Sequence, residues 1–551
     1  MTSASGMDGQ PLGGVARSSR RVMNLAHLLT QNRRRFGGRP GFIWGDRSWT
    51  WKEIAEAVDA FAVGLKSLGI GKGDRVLVHS RNCDEMFFSM FATFKLGAVW
   101  VPTNFRLMPA EVADLADAAH AKAFLCHGDF PEHAEAVKAA MRDRGLQFIM
   151  RLGDGDLGNI SARRIISDNA GATLADAAVE HDDPCWFFFT SGTTGRSKAS
   201  VLTHGQMAFV VTNHLCDLMP GTTEDDVSLV VAPLSHGAGV HQLVQTARGV
   251  ATILLPTERF DIDEAFRLIA RYRVTNMFTV PTILKMLVEH PAVDLHDHSS
   301  LRYIIYAGAP MYREDQKAAL KKLGKVIVQY FGLGEVTGNI TVLPAALHDE
   351  EDGPDVKLGT CGFERTGMQV SIQDDDGREL QPFETGEICV IGPAVFAGYY
   401  DNPEANAKAF RNGWFRTGDL GHMDREGFVY ITGRASDMFI SGGSNVYPRE
   451  IEEKILTQGS VAEVAIVGVP DALWGEVGYA VCVARPGMHV TEADLIDFLN
   501  GKIAKYKMPK RFFFWDALPK SGYGKVPKRL VKDELAARGL LPKLTSAKAD
   551  A

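Results

Sequence analysis

Four large apolar residues, Trp186-Phe187-Phe188-Phe189, run without a break into Thr190-Ser191-Gly192-Thr193-Thr194-Gly195-Arg196-Ser197-Lys198. The first stretch reads as a buried strand. The second has little bulk to pack, so its backbone is free to bend tightly and turn its N–H groups toward one point. Three hydroxyls at its core and Lys198 add further donors. Such a loop suits a polyphosphate, whose dense negative charge needs many donors; a plain flexible connection is the other reading. It is not a Walker A loop, because Ser197 stands where that pattern requires a Gly before the Lys.

The flanking sequence predicts the kind of sheet that carries this strand. Ile54, Val58, Phe61, Ala62, Leu65 and Leu68 recur at helical spacing, and Gly69 ends the run. Residues 74–79 read as a strand, 84–96 as an amphipathic helix stopped by Gly97, and 99–102 as the next strand. A helix over 110–119 and a strand over 123–126 follow. Strands alternating with helices predict a parallel, doubly wound sheet. Residues 153–171 are rich in Gly, Asp and Asn and read as a surface stretch. Strands over 227–232, 303–306 and 326–329 continue the α/β pattern. Near the C-terminus a helix over 449–456, strands over 464–468 and 479–483 and a helix over 494–503 make a small α+β lobe.

Bulk properties exclude several classes. A chain of 551 residues accommodates three or four folding units. Its 60 basic and 67 acidic residues leave a formal charge of -7, which argues against a nucleic-acid partner. The seven cysteines, Cys83, Cys126, Cys185, Cys216, Cys361, Cys389 and Cys482, form no C-x-x-C pair and read as small core residues in a reducing compartment. No apolar run is long enough to span a membrane. The first 21 residues lack a signal-peptide core and read as a loose tail, so the expected location is cytoplasmic. Oligomeric state is not legible, and a homo-oligomer stays open.

The order of residues in the loop resembles the phosphate loop of the AMP-forming acyl- and aryl-CoA synthetases. These belong to the adenylate-forming superfamily, with the luciferases and the adenylation domains of peptide synthetases. Their pattern is T-S-G-[ST]-T-G-x-P-K-G; here Ser197 replaces the Pro and Ala199 the last Gly. Further motifs follow in the family's order over residues 24–535: Pro233-Leu234-Ser235-His236, Ala307-Gly308-Ala309-Pro310, Gln329-Tyr330-Phe331-Gly332-Leu333-Gly334-Glu335, Trp414-Phe415-Arg416-Thr417-Gly418-Asp419, Gly433-Arg434 and Pro519-Lys520-Ser521-Gly522-Tyr523-Gly524-Lys525.

The resemblance implies an α/β fold: a tail over 1–22, a large domain of doubly wound sheets with a β-barrel-like subdomain over 23–433, a hinge over 434–437, and a small mobile lobe over 438–551. It implies that Thr190, Ser191, Gly192, Thr193, Thr194, Gly195 and Lys198 hold the phosphates of ATP. Gly308, Ala309 and Pro310 lie beneath the adenine, Phe331 stacks on it within the run Gln329-Tyr330-Phe331-Gly332, and Asp419 and Arg434 take the ribose. Glu335 helps to hold Mg²⁺. Gly334 departs from the family's Thr, whose hydroxyl meets the α-phosphate; Thr337 is a candidate substitute. His236, Ala238, Gly239, Tyr306 and Ala307 line the acid pocket, with His241, Gln242 and Asn339 as polar neighbours. Ser441, Gly442 and Gly443 line the tunnel for coenzyme A. Lys525 is the lysine that joins carboxylate and α-phosphate.

The implied reaction activates a carboxylic acid as its adenylate, then passes the acyl group to coenzyme A. A carboxylate resists thiol attack because it is charged and its oxide leaves poorly; AMP is a good leaving group. Positioning and charge neutralisation dominate such a step. Two alternatives remain at this level: an adenylate-forming enzyme with another acceptor, and a non-catalytic nucleotide binder. The acid itself is not legible, since small residues suit a long acyl chain or an aromatic acid and the polar neighbours suit a polar one.

Overall fold

A computed structural model describes residues 20–158, 160–190, 197–257, 260–309, 311–442, 444–520 and 526–542. The first sheet has six strands in the order Phe148–Leu152, Ala123–His127, Arg75–His79, Val99–Thr103, Pro184–Thr190 and Lys198–Thr203. Its neighbours run parallel except the last pair, which is antiparallel. The helix Trp51–Ser67 starts at Thr50, whose hydroxyl accepts from the Glu53 N–H while the Glu53 carboxylate accepts from the Thr50 N–H. It buries Ile54, Val58, Phe61 and Leu65 on one face and stops before Gly69, at φ +91°.

The stretch 153–171 corrects the sequence reading. It contains a helix, Ala162–Asp168, whose Ile165 packs onto Gly64 of the helix Trp51–Ser67. A side chain at Gly64 would occupy the place of Ile165, so the docking depends on a residue a long way back in the chain.

The second sheet has nine strands, in the order Phe363–Glu364, Thr341–Leu343, Ile327–Phe331, Tyr303–Tyr306, Asn276–Thr279, Val227–Val230, Ala251–Leu254, Pro40–Trp44 and Arg47–Thr50. The middle is parallel and both edges are antiparallel. One core cluster joins the two sheets: Trp100, Trp186 and Phe188 come from the first, and Phe278, Ile305, Val328 and Tyr330 from the second. The opposite face of the second sheet has its own core, with Met277, Ile304, Tyr306 and Ile327. Both faces are covered, as a parallel sheet requires.

The subdomain expected to be barrel-like is a five-stranded antiparallel sheet of Gln369–Gln373, Gly386–Ile391, Trp414–Met423, Phe410–Arg411 and Val429–Arg434. The C-terminal lobe has a sheet of Ser444–Val446, Phe439–Ser441, Gly475–Ala484, Val461–Asp471 and Arg511–Phe514, with the helices Pro448–Leu456, Glu492–Leu499 and Lys528–Ala537. The helix expected to reach residue 503 ends at Leu499, and Gly501 follows at φ +76°. All seven cysteines are free and six are buried. Among the described residues no helix is long and apolar enough to cross a membrane.

Candidate active site

The strand Pro184–Thr190 ends beside the short turn Gly334–Val336 that follows the strand Ile327–Phe331. There the Thr190 hydroxyl donates to Glu335 Oε1 at 3.0 Å. The Tyr399 hydroxyl donates to the same oxygen at 2.9 Å. Tyr399 arrives on a segment that pairs with the strand Lys198–Thr203: Val201 N–H donates to Gly398 O (2.9 Å), Ala397 N–H to Val201 O (3.0 Å) and Tyr400 N–H to Ala199 O (2.9 Å). The Phe396 N–H holds the Glu335 backbone carbonyl at 2.7 Å. The Lys198 ammonium lies 4.9 Å from the centre of the Tyr399 ring. Both ends of the glycine-rich loop therefore meet one pair, the buried Glu335 carboxylate and the half-buried Tyr399 phenol. Burial, and then the charge of Glu335, raise the Tyr399 hydroxyl far above its ordinary pKa, so it remains a donor.

Of the predicted loop, Ser191, Gly192, Thr193, Thr194 and Gly195 lie outside the described residues, as do Pro310, Gly443 and Lys525. Thr190 and Lys198 are placed as above.

Gly334 is packed tightly. A Cβ there would lie 2.6 Å from the Phe188 ring and 3.0 Å from Thr190 Cγ2. The Phe188 ring in turn stacks on His236, with centroids 4.4 Å apart and planes 19° apart. Thr337 adopts φ +49°, is buried, and its hydroxyl has no hydrogen-bond partner among the described residues. Asn339 is fully buried with neither side-chain amide atom partnered among the described residues.

Several predicted side chains point elsewhere. The Tyr306 ring is in the opposite core, where its hydroxyl donates to Gln329 Oε1 (3.0 Å) and accepts from Gln316 Nε2 (3.2 Å), with His348 Nε2 at 3.1 Å. It therefore does not wall a pocket beside His236. Tyr330 also departs from the nucleotide-contact reading: its ring is in the joint core, 6.1 Å from Phe278 and 6.0 Å from His214. Phe331, the next residue, is only half-buried. Gly332 closes against the Gly338 backbone. Gly308 is at φ +84° and, with Ala309, is exposed, whereas Ala307 is buried.

Gly239 leaves no open floor, because a side chain there would meet the Leu234 carbonyl and the Trp186 ring. Gly237 is pressed against Phe278 in the same way, and Ala238 is buried. His241 and Gln242 turn inward to a polar network. His241 Nε2 is 3.1 Å from Asn276 Oδ1 and 2.8 Å from Gln245 Nε2, and Gln242 Nε2 donates to Thr252 Oγ1 at 2.9 Å. Burial lowers the His241 pKa to about 4.

Asp419 and Arg434 face each other across paired strands, with Arg434 Nε donating to Asp419 Oδ1 at 3.1 Å. Asp419 is buried and its N–H donates to Thr417 Oγ1 at 3.0 Å; Arg434 is exposed. In the small lobe Gly442 is at φ +56°, its N–H donates to Trp474 O at 2.8 Å, and Ser441 is buried beside it. A side chain at Gly442 would lie 2.7 Å from the Trp474 ring.

Among the described residues no group of three or more His, Cys, Asp or Glu is arranged to hold a metal ion by itself. The donors at the site are nonetheless hard oxygens: Glu335 Oε2 accepts from no described residue, and Thr190 is adjacent. That set fits a Mg²⁺ ion brought in by phosphates, which typically takes one or two carboxylates and keeps waters.

A doubly wound large domain, a small lobe and a phosphate-type loop sequence whose flanking residues Thr190 and Lys198 meet at Glu335 and Tyr399 point to an adenylate-forming enzyme. Residues 29–400 match the AMP-binding enzyme family and residues 450–525 its C-terminal domain, so the chain belongs to the AMP-binding enzymes. It is an AMP-forming acid–thiol ligase, which activates a carboxylic acid with ATP as the acyl-AMP and transfers the acyl group to coenzyme A. It is similar to feruloyl-CoA synthase from Amycolatopsis sp, 35% identical over 89% of this chain and 94% of that protein. It is 32% identical to indoleacetate–CoA ligase from Aromatoleum aromaticum, over 94% of this chain and 99% of the other. Among solved structures, ATP-bound MatB from Rhodopseudomonas palustris overlays with a TM-score of 0.84 at 30% identity, covering 94% of this chain and 99% of MatB. Apo MatB overlays at 0.73, covering 94% of this chain and 100% of MatB at 30% identity.

Tyr399 and Phe188 are the site residues that sequence reasoning missed. Gly398-Tyr399-Tyr400 is visible in the sequence, but nothing local signals that Tyr399 reaches Glu335, 64 residues earlier.

Proposed function

We propose that the acid activated by this ligase carries a planar ring, and that it is bound against His236, whose ring stacks on Phe188. The observation that carries this reading is that stack, together with Gly237 and Gly239 drawn tight onto Phe278 and Trp186. A wall of flat rings favours a flat guest, and at the two glycines the backbone is packed too closely to admit even a Cβ. The names of two relatives, feruloyl-CoA synthase and indoleacetate–CoA ligase, are in line with this.

In this reading Asp419 and Arg434 hold the ribose, Phe331 stacks on the adenine, and Gly308, Ala309 and Pro310 lie beneath it. Thr190, Lys198 and the intervening loop hold the phosphates, and Thr337 supplies the donor that Gly334 lacks. Mg²⁺, when bound at Glu335, would neutralise phosphate charge. The carboxylate oxygen attacks the α-phosphorus and pyrophosphate leaves. Lys525 neutralises both anions as they meet. The small lobe then turns about residues 434–437, and Ser441, Gly442 and Gly443 line the approach of the thiol. The thiol, losing its proton, attacks the acyl carbonyl, and AMP leaves. Seven free cysteines, six of them buried, support a cytoplasmic location.

Exchange of labelled pyrophosphate into ATP, followed with CoA-dependent AMP release over a panel of acids, tests both levels. Aryl and arylalkyl acids are expected to exceed long saturated fatty acids in kcat/KM by about tenfold or more. Exchange with none of the acids would remove the catalytic reading. A fatty acid at the head of the panel would remove the ring-bearing acid alone.

A further inference from the structure

Phe188 and Thr190 are two residues apart on one strand, so their side chains leave the same face of the sheet. That face meets the turn Gly334–Val336. Gly334 does not have a positive φ, so its backbone conformation is open to any residue. The demand for glycine is a demand for space: a Cβ would stand 2.6 and 2.8 Å from two carbons of the Phe188 ring. Side chains this close must move, and Phe188 has nowhere to go. It is buried, and its ring stacks on His236, at 4.4 Å and 19°. His236 is the residue before the helix Gly237–Arg248, and Glu335 follows Gly334 directly. Three separate parts of the chain thus meet at one aromatic ring.

We propose that Phe188 is a positioning residue. Seated in the space left open at Gly334, its ring fixes the plane of the His236 imidazole at the wall of the acid site, and residues 188 and 334 form an interdependent pair. The inference rests on the assignment of His236 to the acid site. It explains why the position next to Glu335 carries no side chain here: a hydroxyl donor and the Phe188 ring cannot share the space. A ring that merely filled the core would be replaceable by any side chain of similar volume; a ring that orients an imidazole is replaceable only by another ring.

The test uses the full chain with Phe188→Met, Phe188→Tyr, Gly334→Ala and the double variant Phe188→Met with Gly334→Ala, each read by pyrophosphate exchange and by melting temperature. Phe188→Met keeps the volume and loses the plane. It is expected to raise KM for the acid about three- to tenfold, the equivalent of one aromatic pair, with KM for ATP unchanged. Phe188→Tyr, which keeps a ring, is expected to raise KM for the acid by less than Phe188→Met does. Gly334→Ala alone is expected to lose most activity. Combined with Phe188→Met it is expected to exceed the product of the two single effects by about tenfold. A Phe188→Met enzyme with the parent's KM for the acid would overturn the positioning role, and strictly multiplicative effects would overturn the pair. Should Gly334→Ala fail to fold, folding of the double variant supports the pair and its failure refutes it. If the parent itself exchanges no pyrophosphate, the catalytic reading is lost, yet the melting temperatures of the same proteins still decide whether 188 and 334 depend on each other.

Discussion

Thr337 combines two local costs. A β-branched residue at φ +49° is strained, and its buried hydroxyl is without a partner among the described residues. Strain of this kind persists where the surroundings impose it, and it gathers at functional sites. The turn Gly334–Val336 does the imposing, because the Thr337 N–H closes onto Gly334 O at 3.1 Å. Thr337→Gly relieves both burdens, and the variant is expected to be about 1 kcal/mol more stable in urea unfolding. If the hydroxyl serves the α-phosphate in place of the donor missing at Gly334, KM for ATP rises in the same variant. Stability gained with an unchanged KM would leave the hydroxyl no part in phosphate binding. The residue-level site was partly legible. Glu335, Asp419 and Arg434 sit in motifs whose order survives in the sequence, but Tyr399 reaches Glu335 only through pairing with the strand Lys198–Thr203. No local signal records that pairing.

Elements were legible where their signals are local. The strand Tyr303–Tyr306 has the bounds the sequence predicts, and the capping residues Thr50 and Thr203 start their helices by accepting from the residue three positions on. The facing of residues within the strands was not legible. In a parallel sheet covered on both sides nearly every position is apolar, so alternation gives no sign of which way Tyr306 or Tyr330 turns. The short helix Ala162–Asp168 was hidden for another reason, since its place depends on the missing side chain of Gly64. Buried histidines on these elements set an acid limit. Burial lowers His79 at the end of its strand to about 3. It lowers His204, at the start of its helix, to about 4, and likewise His241 and His348. The unfolded chain takes up these protons near pH 6.5 and the folded chain does not. The stability they contribute is therefore complete above pH 6.5 and declines as the pH falls toward about 4. Each histidine contributes a slope of about 1.4 kcal/mol per pH unit in that window. The melting temperature is expected to fall steeply from pH 6.5 to 5, above the carboxylate range. His241→Gln, which keeps a polar group near Asn276, should flatten the slope by one proton. A melting temperature level across that range would mean that these histidines bind protons in the folded state.

At the scale of the whole molecule, the two lobes are linked through Tyr312. This residue comes shortly after Gly308 and Ala309, at the start of the helix Arg313–Leu323 of the large domain, yet its ring packs against the core of the small lobe. Every other partly buried residue against that core is the small lobe's own. Burial, with Glu452 and Glu453 nearby, raises its hydroxyl well above the ordinary tyrosine range, so the ring sits there neutral. Beside it, the helix Pro448–Leu456 lies against the strand Val429–Arg434, which ends in Arg434. Tyr312→Ala removes an apolar contact worth about 1–2 kcal/mol, so this seating is expected to lose about tenfold in population relative to others. If adenylation takes place with the small lobe in this seating, as the proposed function has it, pyrophosphate exchange should slow by about that factor. Thioester formation from preformed acyl-AMP, which in the proposed function follows the turn of the lobe, should slow less or not at all. Tyr312→Phe, which keeps the ring, should behave as the parent. Equal slowing of both half-reactions in Tyr312→Ala would show that the ring serves stability rather than the proposed turn of the lobe.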